Sequence, residues 1–267
     1  MSEAINQMTG PEELRIIDAA NALLDARRTG KTITDLPPSL QPKSLDEAYA
    51  IQDRIIAALG DIGGWKVGAP SPDATPMFAP MPLAWISTSA STLAGDRWRY
   101  RGLEAEIAFL VGRDLPPRLA AHGHAPYTRE EVLTAMASCH PAIEVLESAF
   151  TDPSQATPLA KNADLQVHGG FVYGPAVPNW QSIDFTQEHV MLAVDGIVRV
   201  ERTGSNTAGD LLRLLPWLAN QAAARTGGLR EGQWITTGSW TGNTLASPGS
   251  AVEVLFSTAG RVDLRFA

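Results

Sequence analysis

Two glutamates one residue apart, Glu104 and Glu106, sit in the run Arg-Gly-Leu-Glu-Ala-Glu-Ile-Ala-Phe-Leu-Val from Arg101 to Val111. Under a two-residue period Leu103, Ala105, Ile107, Phe109 and Val111 share one face of a strand, and Glu104, Glu106, Ala108 and Leu110 share the other. An ionised carboxylate taken out of water is costly unless compensated, and a like charge on the next same-face position adds repulsion. A cation is one remedy. A second strand-like run, Pro141-Ala-Ile-Glu144-Val-Leu-Glu147, places Glu144 with Ala142 and Leu146, opposite Ile143 and Val145. If the two strands meet, Glu144 completes a cluster of three carboxylates. Oxygen-only ligation suits a hard divalent ion, so Mg²⁺ or Mn²⁺ is favoured over zinc, which prefers nitrogen and sulfur. The spacing alone also allows Glu104 and Glu106 to face solvent or to pair with Arg99 and Arg101 on an edge strand.

The elements that would position these groups can be traced from periodicity and punctuation. Pro11 to Arg28 has helical spacing at Leu14, Ile17, Ala20 and Leu24, with Gly30 as a stop. Ser44-Leu-Asp-Glu47 matches a capping box, which predicts a second helix through Ile51, Ile55 and Leu59 to Gly60. Short apolar runs dominate thereafter. Asp195-Gly196 between Met191–Val194 and Ile197–Val200 predicts a hairpin with a primed turn. A second hairpin is expected from Ala251–Phe256 and Arg261–Phe266, joined around Ala259-Gly260. Between them, Ala208 to Arg225 carries leucines and a tryptophan at helical spacing, ended by Gly227-Gly228. Pro216 inside it should kink the helix or mark its true start.

Composition narrows the function classes. The chain has 267 residues, 44% of them hydrophobic, and a net charge of -8. That is enough for one large domain, or one domain with a helical appendage. The acidic balance and scattered Lys and Arg argue against nucleic-acid binding. No run of about 18 apolar residues could span a bilayer, and the start Met-Ser-Glu-Ala-Ile-Asn lacks the basic and apolar regions of a signal peptide. No membrane association and a cytoplasmic location are therefore expected. Cys139 is the single cysteine, so one subunit can form no disulfide or thiolate cluster, and a buried apolar role is expected for it.

Five motifs occur in order: Gly64-Trp-Lys66-Val-Gly68, Glu104-Ala-Glu106-Ile-Ala, Pro141-Ala-Ile-Glu144-Val, Trp217-Leu-Ala-Asn220, and Leu229-Arg-Glu-Gly232-Gln-Trp-Ile-Thr-Thr237-Gly-Ser239. Together they resemble the 2-keto-4-pentenoate hydratase and 4-oxalocrotonate decarboxylase branch of the fumarylacetoacetate hydrolase superfamily, over roughly residues 10 to 267. The resemblance implies an α+β fold: a helical N-terminal region (1–62), then a catalytic β-rich domain (63–267). That domain would be a mixed, mostly antiparallel β roll or sandwich of the superfamily's C-terminal-domain type, continuous with the helices. It implies Glu104, Glu106 and Glu144 as ligands of Mg²⁺ or Mn²⁺. It also implies a small 2-keto or 2-hydroxy-dienoic acid as substrate, with homo-oligomerisation and association with a pathway decarboxylase or hydratase. The activity it favours is hydration of a 2-hydroxy-alka-2,4-dienoate to a 4-hydroxy-2-oxo acid in aromatic-compound catabolism. Its alternatives are decarboxylation of a 4-oxalocrotonate-type substrate, C–C bond hydrolysis of a diketo acid, or an inactive metabolite-binding or partner-supporting relative.

Further candidates surround this frame. Lys66, in a Gly-flanked strand end, is a candidate substrate-facing cation or acid/base group, against an ordinary surface lysine. Thr237 and Ser239 offer hydroxyls and backbone N–H groups to a substrate carboxylate, although such turns are commonly only turns. The chain departs from the family pattern at Pro80, at Asp210 and in Ala160-Lys161-Asn162-Ala163-Asp164, where Lys161 replaces an acid. Lys161 and Asp164 are assigned to substrate binding, Lys161 to a second carboxylate; a local Lys161–Asp164 ion pair is the competing reading. Glu147 faces away from Glu144 and is expected at the surface. His140 and His168 are either proton carriers or hydrogen-bonded structural residues, with the latter preferred. His122-Gly-His124 lacks a third ligand and reads as a solvated loop. The seven tryptophans are expected to fill the core or a subunit interface.

Overall fold

A computed structural model describes residues 10–118 and 123–267. The chain opens with α1 (Pro11–Thr29) and α2 (Leu45–Leu59), followed by β1 (Ile62–Gly68), β2 (Met77–Pro82), β3 (Ile86–Thr88), β4 (Ser91–Leu93) and β5 (Gly102–Val111). A short helix α3 (Arg129–Leu133) precedes β6 (Met136–Leu146), and α4 (Pro158–Ala163) precedes β7 (His168–Tyr173). Then come β8 (His189–Val194), β9 (Ile197–Thr203), α5 (Leu214–Gln221), β10 (Trp234–Thr236), β11 (Thr244–Leu245), β12 (Ala251–Phe256) and β13 (Gly260–Phe266).

The helix boundaries follow local chemistry. Gly30 ends α1 in the left-handed region at φ 72°, where glycine has no steric penalty. The Ser44 hydroxyl accepts from the Glu47 N–H and caps α2, but the Glu47 carboxylate reaches back to the N–H of Lys43 rather than that of Ser44, so the predicted capping box is only half formed. Pro216 is the third residue of α5, which identifies it as a helix start. The first turn ahead of it is a 3₁₀ turn whose N–H of Leu212 is capped by Asp210. Asp195 and Gly196 take φ 53° and 75°, the two positive values a type I′ turn requires, and join β8 to β9 as predicted.

The strands build two sheets. The larger runs β2-β1-β10-β5-β6-β7-β3, with β11 added beside β5; the smaller runs β4-β13-β12-β8-β9. Pairing is antiparallel except at β1–β10, β3–β7 and β13–β4. One face of the larger sheet, including Leu103, Ile107, Phe109, Ile143 and Val172, packs on Val190, Leu192, Val254, Phe256 and Leu264 of the smaller sheet. This is the sandwich core. The larger sheet curls so that β2 approaches β7, and its inner face carries Met81, Ala108, Ala142, Phe171 and Trp234. α1 and α2 close the structure through a separate apolar cluster that includes Ile16, Leu23, Ile51, Ile55, Phe150, Ala160 and Leu165. No helix among the described residues is long and apolar enough to cross a membrane.

A candidate metal centre on the inner face of the roll

Glu104 and Glu106 stand on the inner side of β5, and the antiparallel register with β6 sets Glu104 directly opposite Glu144 and Glu106 opposite Ala142. Carboxylate oxygens of the three glutamates lie within 4.8 Å of one another. Glu106 and Glu144 are buried. The period-two alternation read from the sequence thus survives, and it directs the acids into the roll rather than to solvent or to Arg99 and Arg101.

The other elements supply the surrounding groups. β1 pairs in parallel with β10, which puts Lys66 beside Thr236, and β10 in turn pairs with β5. Lys66 Nζ lies 2.7 Å from Glu144 Oε1 and donates to the Gln166 carbonyl at 3.1 Å. That carbonyl is presented by a left-handed turn in which Leu165, Gln166 and Val167 have φ of 52°, 51° and 65°. Such conformations cost about 1–3 kcal/mol per non-glycine residue, and persist where surrounding packing enforces them. His168 follows the turn, and its Nδ1 lies 2.8 Å from Glu144 Oε1. An ionised carboxylate only accepts, so the proton of a neutral His168 ring resides on Nδ1. Glu106 Oε2 accepts from the Thr236 hydroxyl and, at 3.1 Å, from the Gly238 N–H.

Electrostatics follow from this crowding. Burial and the Glu144 charge push Glu104 up to about 7, against the pull of Lys66 and the nearby Ser239 hydroxyl. Burial, Glu144 and Glu104 raise Glu106 well above the usual carboxylate range. Burial also acts on Glu144, but Lys66 and His168 outweigh it and hold that carboxyl low. Burial alone would lower the Lys66 ammonium; the three glutamates together raise it instead. Within the cluster one ammonium, that of Lys66, faces three carboxyl groups.

A divalent ion fits the donors present. Glu144 Oε1 is taken by Lys66 and His168, whereas the buried Glu144 Oε2 has no hydrogen-bond partner among the described residues. A buried, unpaired carboxylate oxygen in an all-oxygen cluster is the environment a hard cation compensates.

Several expectations are corrected. Asp164 is fully buried and both its oxygens are engaged by protein: Oδ1 takes Arg27 Nε at 2.6 Å, and Oδ2 takes the Ser148 hydroxyl and the Ala149 N–H. Lys161, half-buried on α4, consequently has no local ion pair with it. The Thr237 hydroxyl donates to the Ile107 carbonyl at 2.7 Å and serves the sheet, while its neighbour Thr236 is the threonine that touches a glutamate. Ser239 is half-buried, and its hydroxyl accepts from the Gly242 N–H. Glu147 is buried rather than at the surface, because its oxygens accept the N–H groups of Arg99, Tyr100 and Ser148. His140, by contrast, is hydrogen-bonded as preferred from the sequence, to the Gly174 carbonyl and Ser138. His122 lies outside the described residues. Arg27, Gln166 and the engagement of His168 were missed; all depend on segments distant in sequence, and only the Gly169-Gly170 that follows His168 hinted at a close approach.

No protein-family model matches the chain. It is 27% identical to a 2-keto-4-pentenoate hydratase from Paraburkholderia xenovorans (strain LB400), an alignment covering 93% of this chain and 94% of the relative. Among solved structures, 4-oxalocrotonate decarboxylase from Pseudomonas putida G7, complexed with magnesium and adipate, superposes with a TM-score of 0.82 at 21% identity, over 98% of this chain and 100% of that one. A Yersinia pestis CO92 protein provisionally assigned to the fumarylacetoacetate hydrolase family superposes with a TM-score of 0.56 at 16% identity, covering 78% of this chain and 93% of that one. The chain shares its fold with that decarboxylase and with the fumarylacetoacetate hydrolase family protein. The α+β roll and sandwich match the fold that the resemblance implied, and the three glutamates converge on the inner face of the roll.

Proposed function

We propose that this protein is a divalent-metal-dependent lyase that adds water to a 2-hydroxy-alka-2,4-dienoate, giving a 4-hydroxy-2-oxo acid. The observation that carries this reading is the convergence of Glu104, Glu106 and Glu144 beside Lys66, in a chain similar along nearly its whole length to a 2-keto-4-pentenoate hydratase. Mg²⁺ or Mn²⁺ is the ion we assign, held by the three glutamates. When bound, it supplies Lewis-acid stabilisation of the negative charge that gathers on the C2 oxygen of a 2-keto acid.

The chain's own residues divide the remaining work. Thr236 and the Gly238 N–H fix one oxygen of Glu106, and His168 with Lys66 fixes one oxygen of Glu144, which pre-orients the ligand set. Lys66 carries its proton at rest and is held at both Glu144 and the Gln166 carbonyl. We assign it the proton exchange at substrate carbon: the 2-hydroxyl loses a proton, C5 gains one, and the resulting enone takes water oxygen at C4 and a proton at C3. Ser239 is assigned to the substrate carboxylate. The apolar inner-face residues Phe171, Ala142 and Trp234 limit water around the reacting chain.

A 4-oxalocrotonate-type decarboxylase is the second reading. Lys161 favours it, because it has no ion pair among the described residues and would supply a charge for a second carboxylate. Cytoplasmic location, homo-oligomerisation and association with a pathway partner form part of this proposal. The test incubates the protein with Mg²⁺ or Mn²⁺ and either 2-hydroxypenta-2,4-dienoate or 4-oxalocrotonate, following ultraviolet absorbance and CO₂. Loss of dienoate absorbance without CO₂ supports hydration; CO₂ from 4-oxalocrotonate supports the second reading; inertness with both substrates refutes the pair.

A further inference from the structure

A cavity of about 630 Å³ opens between the C-terminal ends of α1 and α2, Trp85 and the segment Arg97–Arg99. None of the three glutamates lines it. Its charges do not balance. The Arg27 guanidinium is committed to Asp164 and to the His168 and Glu147 carbonyls. Arg28 pairs with Asp25 at the exposed rim. Arg99 reaches Glu147 only at 4.0 Å, and that carboxylate already accepts backbone N–H groups through both oxygens. Arg97 has no carboxylate within ion-pair distance among the described residues. Three inner guanidiniums, those of Arg27, Arg97 and Arg99, therefore face two carboxylates, those of Asp164 and Glu147, and one positive charge is left over.

Arg97 is also held rigidly. Its guanidinium carbon lies 4.2 Å from the centre of the Trp85 ring and 4.4 Å from that of Trp98, and one of its amino groups donates to the Gly169 carbonyl. Its other N–H groups have no protein acceptor among the described residues. Arg99 Nε is buried with none either. Burial and the neighbouring Arg27 make this charge expensive, pushing Arg97 down to about 10. A clamped guanidinium with unused donors in an open, positively biased cleft suits an oxygen anion, whose paired oxygens match the planar fork.

We propose that this cleft is a binding site for a small oxyanion, a carboxylate or a phosphate, taken by Arg97 and Arg99 and separate from the glutamate cluster. Trp85 also stacks on the His168 ring at 6.0 Å, so the occupied cleft would adjoin the groups behind Glu144. The test titrates the full chain calorimetrically with inorganic phosphate and, separately, with acetate at low ionic strength, using chloride as the control. Saturable binding of about one equivalent is expected, weakened roughly tenfold or more in Arg97→Gln and in Arg99→Gln, as loss of a charge-assisted hydrogen bond implies. The anion that binds more tightly identifies the ligand class. If Arg97→Gln fails to fold by circular dichroism, Arg97→Lys keeps the charge without the fork and should still bind more weakly. Absence of saturable binding to both anions, or binding unchanged in the folded variants, overturns the proposal.

Discussion

The sharpest consequence of the acid cluster is a stability that depends on pH in a direction opposite to that of most carboxylates. Glu104 sits at about 7 in the folded chain, raised from 4.5 by burial and by the Glu144 charge. Between those values the folded state keeps a proton that the unfolded state has released. Stability from this group is therefore full below 4.5 and is lost as pH rises through about 7, a fall of about 3 kcal/mol. Other groups act in overlapping windows. Burial lowers His168 and His140, which makes stability rise with pH toward 6.5, and Glu144 titrates below the window. Comparing the wild type with Glu104→Gln at each pH cancels the two histidine terms, whereas Glu106, raised in part by the Glu104 charge, is relieved in the variant and adds to the difference in the same direction. In chelator-treated protein, urea denaturation at pH 4.5, 6 and 7.5 should show the wild type losing about 3 kcal/mol relative to the variant. Saturating Mg²⁺ should offset this, since an ion at a hundredfold its dissociation constant stabilises by about 2.7 kcal/mol. A difference between the two proteins that stays flat across this range would refute the electrostatic account of the cluster.

Three substitutions probe the parts separately. Glu106→Gln should abolish metal-dependent turnover while circular dichroism and the denaturation midpoint show an intact fold; unchanged activity would remove Glu106 from the site. Thr236→Val deletes the hydroxyl that holds Glu106 Oε2, leaving the Gly238 N–H, so calorimetric Mg²⁺ affinity should fall about 10–100-fold with little loss of stability. Gly64→Ala would place a methyl group 2.3 Å from the Trp234 carbonyl oxygen, forcing β1 from β10. A destabilisation of about 1–3 kcal/mol is expected from such overpacking, read from the urea midpoint, together with loss of activity as Lys66 moves away from Glu144.

What could be read from the sequence was whatever a short period or a turn dictates. The alternation around Glu104 and Glu106 fixed which residues share a face, and Asp195-Gly196 fixed a turn, because both depend on neighbours in the chain. The partners of Lys66 were illegible for the opposite reason. Lys66 meets Thr236 because β1 pairs with a strand about 170 residues later, and nothing local distinguishes Thr236 from Thr237 until that register is known. Asp164 shows the same limit more severely. Its nearest sequence cation is Lys161, yet it is neutralised by Arg27 from the first helix, which also binds the carbonyls of Glu147 and His168. That one guanidinium ties the N-terminal helix to the turn whose Gln166 carbonyl holds Lys66. The helical region is therefore part of what shapes the glutamate-bearing side of the roll, although none of the candidate site residues lies within it.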